Sequence, residues 1–183
     1  IRLHDEVVAV VARLFRSLRL DVIVEPTRLF DHNPDNPGDV SNQRPDIFIR
    51  NPRGASNLVI IDVAVTGIDG QSRTSDEVVE RPLQVRYDQK MAKYGHLAQQ
   101  RDLRFIPAVF SHTGQIHEAF KVFVKEQIRL KFEAFEGEVK RSKVRFYMNW
   151  WIKCISAVIV KTASRNVAFK ATRMRDSIIN GQD

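Results

Sequence analysis

The chain has 183 residues, and its 29 Lys and Arg residues against 22 Asp and Glu residues give a formal net charge of +7. This length fits a single globular domain, and a hydrophobic content of 43% excludes wholesale disorder. No apolar run reaches the roughly 18 residues that a membrane-spanning helix requires, so we expect no helix to cross a membrane. The single Cys154 excludes a disulfide framework and favours a reducing, intracellular compartment.

The positive charge is concentrated towards the end of the sequence. Ten basic residues and no acidic residue lie between Val139 and Arg175, whereas the rest of the chain carries 19 basic and 22 acidic residues. Such asymmetry favours a polyanionic partner, either nucleic acid or an anionic membrane surface. A solvated helical face would account for the charge equally well.

In chain order, the hydrophobic periodicity predicts a helix, three strands, a helix, a strand and two further helices. The expected bounds are 3–18 for the first helix, 21–25, 45–50 and 57–66 for the three strands, 82–100 for the second helix, 104–110 for the fourth strand, 115–135 for the third helix and about 144–163 for the basic helix. Pro82 suits the first turn of its helix, and Pro107 suits an edge strand or an irregular position.

The connections between these elements predict how the strands pair. Short links between the first three strands favour an antiparallel meander, and the long helix before the fourth strand allows a crossover connection. We therefore expect an α/β fold with a mixed sheet flanked by helices. Residues 1–136 would form this core, and residues 137–183 would form a basic, mainly helical C-terminal extension.

One carboxylate stands out in the third predicted strand. The segment LVIIDVAVT, residues 58–66, is typical of a strand buried on both faces, yet Asp62 lies at its centre. An unpaired carboxylate there costs several kcal/mol. A salt bridge to a neighbouring Arg would explain it, but a metal-binding or catalytic role is the favoured interpretation.

Two further residues could converge on Asp62. Asp46 opens the second strand, and acids on adjacent strands of a meander can share a divalent cation such as Mg²⁺. Lys90 falls within the apolar arc of the second helix, the face that must pack on the sheet, whereas Lys93 falls just outside it. Lys90 could simply be a snorkelling lysine whose stem covers the core. A lysine beside two carboxylates and a metal would instead form a phosphodiester-hydrolysis site.

These residues, in this order, resemble the PD-(D/E)XK nuclease superfamily, whose core is a helix, three strands, a helix and a strand. Within it, the chain is similar to the restriction-like endonuclease domain of site-specific non-LTR retrotransposon reverse transcriptases. The matching segments are Arg44-Pro45-Asp46, Asp62-Val63-Ala64-Val65 and Lys90-Met91-Ala92-Lys93-Tyr94. Most superfamily members place the lysine two residues after the second acid, where this chain has Ala64. The retrotransposon branch moves it onto the following helix.

The resemblance, which covers roughly residues 2–130, implies a role for each residue. Asp46 and Asp62 would bind Mg²⁺ or Mn²⁺. Lys90 would be the catalytic lysine, with Lys93 as its substitute. Glu25 could be an accessory metal ligand, although it is equally typical of a charged strand end. Basic residues of the extension would hold DNA phosphates, and the candidates are Lys140, Arg141, Lys143, Arg145 and Lys153.

The implied function is metal-dependent nicking of DNA for retroelement integration, by one part of a larger polypeptide that acts in the nucleus. The alternative is a retroelement-derived, catalytically silent subunit that binds nucleic acid, RNA included, or acts as a scaffold in a larger assembly. Retention of Asp46, Asp62 and Lys90 argues against the alternative, because a scaffold has no reason to keep a costly acid inside a strand. His4 is interpreted as a helix-start residue. Of the pair Trp150-Trp151, which could stack on bases, one ring is expected to pack on the core.

Overall fold

A computed structural model describes residues 3–26, 44–53, 58–67, 76–136 and 140–180. Within these ranges the chain forms four helices and four strands. In order they are α1 (Leu3–Ser17), β1 (Val22–Val24), β2 (Ile47–Ile49), β3 (Leu58–Thr66), α2 (Asp76–Gln100), β4 (Leu103–Ser111), α3 (Glu118–Glu136) and α4 (Arg141–Asn180).

The four described strands form one mixed sheet in the order β1-β2-β3-β4. β1 pairs with β2 and β2 pairs with β3, both antiparallel, so the predicted meander is confirmed. α2 then crosses over to β4, which pairs parallel to β3 from Leu58 opposite Leu103 to Thr66 opposite Ser111. β4 is an edge of this sheet, as Pro107 predicted, and Pro107 lies opposite Asp62. The general α/β prediction, a mixed sheet flanked by helices, is therefore confirmed.

The two faces of the sheet pack against different helices. Alternate residues of β3, Val59, Ile61 and Val63, join the main apolar core together with side chains of α1, α3 and α4. The residues between them, Ile60 and Ala64, pack instead against α2. This alternation is the period-two geometry of a strand. It places Asp62 on the face that α2 covers.

α4 is longer than the sequence predicts. One stripe of the helix is buried in the main core, and its members are Val144, Met148, Trp151, Ile155 and Ile159. The apolar periodicity that predicts a helix ends with this stripe, and residues 164–169 are exposed, so the pattern under-predicted the helix, which continues to Asn180. The N-terminal half of the basic extension is thus part of the packed body.

α2 also differs from its prediction, because it begins at Asp76 and Pro82 lies inside it. The placement of Pro82 in the first turn was therefore wrong. A proline removes one amide hydrogen bond of a helix, and the six residues before Pro82 carry no apolar pattern strong enough to predict the extra turns. None of the described helices has the length and apolar content needed to cross a membrane.

The turn between β4 and α3 docks against α4. Gly114 has a φ of +88°, and a Cβ added there would lie 2.7 Å from the Ser156 side chain. The Ser156 hydroxyl donates a hydrogen bond of 3.0 Å to the Gly114 carbonyl oxygen. Both the backbone conformation and the close approach therefore require glycine at this position.

Candidate active site

Asp62 and Lys90 form a buried ion pair between β3 and α2. Lys90 Nζ lies 2.5 Å from Asp62 Oδ2, and the two side chains are 16% and 5% exposed. Although the charges are in contact, Oδ2 accepts no well-aligned hydrogen bond. The predicted burial of Asp62 is confirmed. Its partner is a lysine from the crossover helix and not the Arg that a purely structural interpretation invoked.

The apolar face of α2 positions Lys90. Leu83 packs on Ala64 and Val109, and Tyr94, one turn beyond Lys90, packs on Ile60. Because Lys90 lies between these anchors on the same face, its side chain is directed at the sheet. Ala64, two residues after Asp62 on the same face of β3, is only 4% exposed beneath α2. At this site the lysine therefore reaches Asp62 from the helix and not from the strand.

Asp46 lies beside Asp62 at the start of β2. Its Oδ2 accepts a 2.6 Å hydrogen bond from the main-chain N–H of Val63, the residue that follows Asp62. The same oxygen lies 3.2 Å from Nε2 of His4, on the first turn of α1. The structure thus brings together Asp46, Asp62 and Lys90, three residues that the sequence proposed as one site.

His4 is the contact that the sequence interpretation missed. It does lie at the start of α1, as predicted, but its ring also binds a carboxylate 42 positions away. No local pattern predicts such a contact, because it depends on how α1 packs against β2. The hydrogen bond to Asp46 raises the pKa of His4 to about 9, although partial burial opposes the shift.

Burial raises the pKa of both Asp62 and Tyr94. Burial raises the pKa of Asp62 above its usual 3.8, the Lys90 ammonium opposes this, and the nearby Asp46 carboxylate adds to it. Burial, followed by the negative charge of Asp62, raises the pKa of Tyr94 to about 12. The charge of Asp46 therefore acts on Asp62, as expected of two carboxylates in one site.

Lys93 and Glu25 have weaker positions. Lys93 is exposed, and its Nζ lies 4.8 Å from the centre of the Tyr94 ring. Glu25 is exposed at the end of β1, where its main-chain N–H donates a 2.8 Å hydrogen bond to the Asp46 carbonyl oxygen. In the described ranges, no three or more His, Cys, Asp or Glu side chains form a group that could hold a metal ion. The arrangement therefore gives no support to Glu25 as a third ligand.

The predicted nucleic-acid-binding residues lie in a different layer of the molecule. Each is exposed, either in the first third of α4 or just before it, and the set is Lys140, Arg141, Lys143, Arg145 and Lys153. Because α4 packs with α1 and α3, these residues lie on the opposite side of the sheet from α2. The structure does not place them next to Asp62 and Lys90.

No protein-family model matches the chain, and no curated protein matches it. What the site can do chemically therefore follows from its own geometry, which is a lysine ammonium held against a buried aspartate, with a second aspartate fixed beside it.

Proposed function

We propose that the chain is a metal-dependent DNA endonuclease with a restriction-endonuclease-like core of the PD-(D/E)XK type. The observation that carries this proposal is the ion pair of Asp62 and Lys90, buried between β3 and α2 and adjacent to Asp46. The substrate would be a DNA phosphodiester, nicked on one strand as in retroelement integration. The chain would act in the nucleus as part of a larger polypeptide.

The two carboxylates suit a hard divalent cation. Asp62 is a buried carboxylate whose Oδ2 lies against the Lys90 ammonium, and Asp46 adds a second carboxylate next to it. Mg²⁺ is commonly held by one or two carboxylates, while waters and substrate phosphates complete its shell. Asp46 and Asp62 would therefore hold Mg²⁺ or Mn²⁺ without a third protein carboxylate.

Each side chain has a separate task in the proposed reaction. When bound, Mg²⁺ supplies Lewis acidity and a water of lowered pKa. The Lys90 ammonium would stabilise the negative charge that develops on the phosphate oxygens, in a site largely closed to water. The Val63 N–H and the His4 ring hold the Asp46 carboxylate in one orientation. Tyr94 stays protonated at neutral pH, because burial and the charge of Asp62 raise its pKa to about 12.

DNA binding would come from α4. Its exposed basic residues would contact backbone phosphates without reading the sequence, so the affinity should fall as the salt concentration rises. Since α4 lies across the sheet from α2, these contacts would be made at a distance from the scissile phosphate.

A catalytically silent, nucleic-acid-binding subunit is the second candidate, and one observation favours it. Both carboxylates already have partners within the chain. Asp62 pairs with Lys90, and Asp46 contacts the Val63 N–H and the His4 ring. In a silent subunit these contacts would hold β2, β3, α1 and α2 together, and the basic residues of α4 would bind nucleic acid in a larger assembly.

Plasmid nicking separates the two candidates. Purified protein should nick supercoiled DNA in Mg²⁺ or Mn²⁺, and both Asp46→Asn and Asp62→Asn should abolish nicking while DNA binding in EDTA survives. Asp88→Asn is the matched control, since Asp88 is an exposed aspartate on α2, and it should nick at the unmodified rate. Binding without nicking in every metal would leave the silent subunit as the function.

A further inference from the structure

The outward side of α4 carries a stripe of cationic and aromatic side chains. Helix positions three and four apart lie on one face. Followed in this way, the exposed stripe contains Lys143, Phe146, Trp150, Lys153, Ala157 and Lys161. It lies away from the buried stripe that begins at Val144 and ends at Ile159. α4 therefore uses one face for the core and leaves another to the solvent.

Two large aromatic rings on this stripe are left in water. Phe146 is 72% exposed and Trp150 is 48% exposed. The Trp150 ring is nearly perpendicular to that of Trp151, with 4.7 Å between centroids and 76° between planes, and it is tilted by 45° to Tyr147. Neither neighbour is stacked parallel to the indole. About half of the Trp150 side chain is therefore left in water, where a planar ligand could stack.

The charged residues of this part of α4 have a single sign. Lys143 lies before the two aromatic residues on the stripe, and Lys153 and Lys161 lie after them. The sequence has no acidic residue between Val139 and Arg175. The stripe is about 27 Å long at 1.5 Å per residue, and Phe146 and Trp150 are about 6 Å apart along the axis. A polyanion with flat, unstacked groups would match both the charge and the exposed rings.

We propose that this stripe binds single-stranded nucleic acid, with bases stacked on Phe146 and Trp150 and phosphates paired with the lysines. In a duplex the base faces are covered by their neighbours, so that a duplex could use the lysines but not the rings. This inference extends the proposed function by naming the form of nucleic acid that α4 holds. It requires no catalysis, because the stripe lies across the sheet from α2.

Intrinsic fluorescence gives a direct test. The chain has two tryptophans, and Trp151 is only 4% exposed. A thymidine oligonucleotide titrated in EDTA should quench the emission of the unmodified protein. The quenching should be lost in Trp150→Phe and retained in Trp151→Phe. Quenching that is lost in Trp151→Phe and retained in Trp150→Phe would overturn the proposal.

Affinities measured by anisotropy provide the second readout. Trp150→Ala or Phe146→Ala should weaken single-strand binding by about 5- to 150-fold and leave duplex binding within about twofold. Val160→Ala is the matched control, since Val160 is 50% exposed on the same helix, and it should change neither affinity. Lys153→Ala should weaken both forms and reduce the salt dependence of binding.

Several outcomes would overturn the inference and still leave the nuclease proposal standing. Equal losses for single strand and duplex in Trp150→Ala would mean that the rings do not stack on bases. Failure of both oligonucleotides, together with a fluorescence shift on anionic phospholipid vesicles, would assign the stripe to a membrane surface. Conversely, absence of nicking with intact single-strand quenching would remove the nuclease and keep this surface.

Discussion

The two faces of strand β3 differ in what covers them. Val59 and Ile61 point into the main core, where side chains of α1, α3 and α4 surround them. Ile60, Asp62 and Ala64 point the other way, where α2 is the helix that covers them in the described part of the chain, and an ion pair lies between two small apolar clusters. The same strand thus carries a wholly apolar face and a face with a charge at its centre.

This difference separates stability from chemistry. Each square ångström of apolar area removed from water contributes about 25 cal/mol. The face of β3 in the main core, called the deep face below, belongs to the larger apolar cluster, so it contributes more hydrophobic stabilisation and is costly to charge. Among the described residues the other face, called the thin face below, is covered by α2, and the Lys90 side chain there remains 16% exposed. A group at that position can reach a ligand, which a group in the main core cannot do.

The largest expected effect comes from placing a charge on the face of β3 that lies in the main core. Ile61 is fully buried, so Ile61→Asp would surround a carboxylate with apolar side chains. We expect the free energy of unfolding to fall by at least about 4 kcal/mol in a denaturant titration. Val122→Asp, at a 56% exposed position of α3, should cost less than about 0.5 kcal/mol. Similar losses in the two variants would mean that the faces do not differ.

Breaking the ion pair is the next largest effect. Lys90→Met would leave the Asp62 carboxylate buried without its cation, and we expect a loss of about 3–5 kcal/mol in the free energy of unfolding. Lys93→Met provides the matched control, because Lys93 is exposed, and should cost less than about 0.5 kcal/mol.

Removing both charges should restore the stability. The double variant Asp62→Leu with Lys90→Met makes the thin face apolar like the deep one, and we expect it to unfold within about 1 kcal/mol of the original protein. If the double variant were as unstable as Lys90→Met alone, the loss of stability in Lys90→Met would not come from the unpaired charge of Asp62.

Asp62 should also give the stability a pH dependence. Its pKa is raised on folding, so the folded state binds more protons than the unfolded state above the ordinary value of 3.8. The carboxyl therefore contributes stability that is fully present below this value and is lost as the pH rises through the folded pKa. Asp62→Asn should remove this slope from denaturation curves recorded across the acid range. An unchanged slope would assign it to another group.

The smallest expected effect is that of His4. Its pKa rises from 6.5 to about 9 through the Asp46 hydrogen bond, with a lesser contribution from Asp5. Stability from this pair should be complete below 6.5 and lost as the pH rises towards 9. Because the ring is 44% exposed, we expect no more than about 1 kcal/mol. His4→Asn should abolish this alkaline decline, and its persistence would exclude His4 as the source.

The sequence predicted those parts of the fold that depend on short-range pattern. An apolar run interrupted at its centre by Asp62 identified β3 and made that residue conspicuous, and the 3.6-residue period placed Lys90 on the inner face of α2. Both predictions depend on one element at a time, where periodicity and the direction of side chains are linked.

What the sequence did not predict depends on how elements pack together. His4 reaches Asp46 only because the start of α1 lies over β2, and the position of α4 across the sheet from α2 follows from its contacts with α1 and α3. Residues 164–169 of α4 are exposed and lie beyond the apolar stripe that predicts a helix. Pairing between distant segments and helix length without burial leave no periodic signal.

The most direct test compares two lysine-to-arginine variants in the nicking assay. Lys90→Arg keeps the charge and should keep the ion pair, yet it replaces a compact ammonium by a planar fork. With the free energy of unfolding of both variants within about 1 kcal/mol of the original protein, nicking in Mg²⁺ should fall by at least about 100-fold in Lys90→Arg and remain unchanged in Lys93→Arg. Nicking at the original rate by Lys90→Arg would show that the Asp62–Lys90 pair stabilises the fold and takes no part in catalysis.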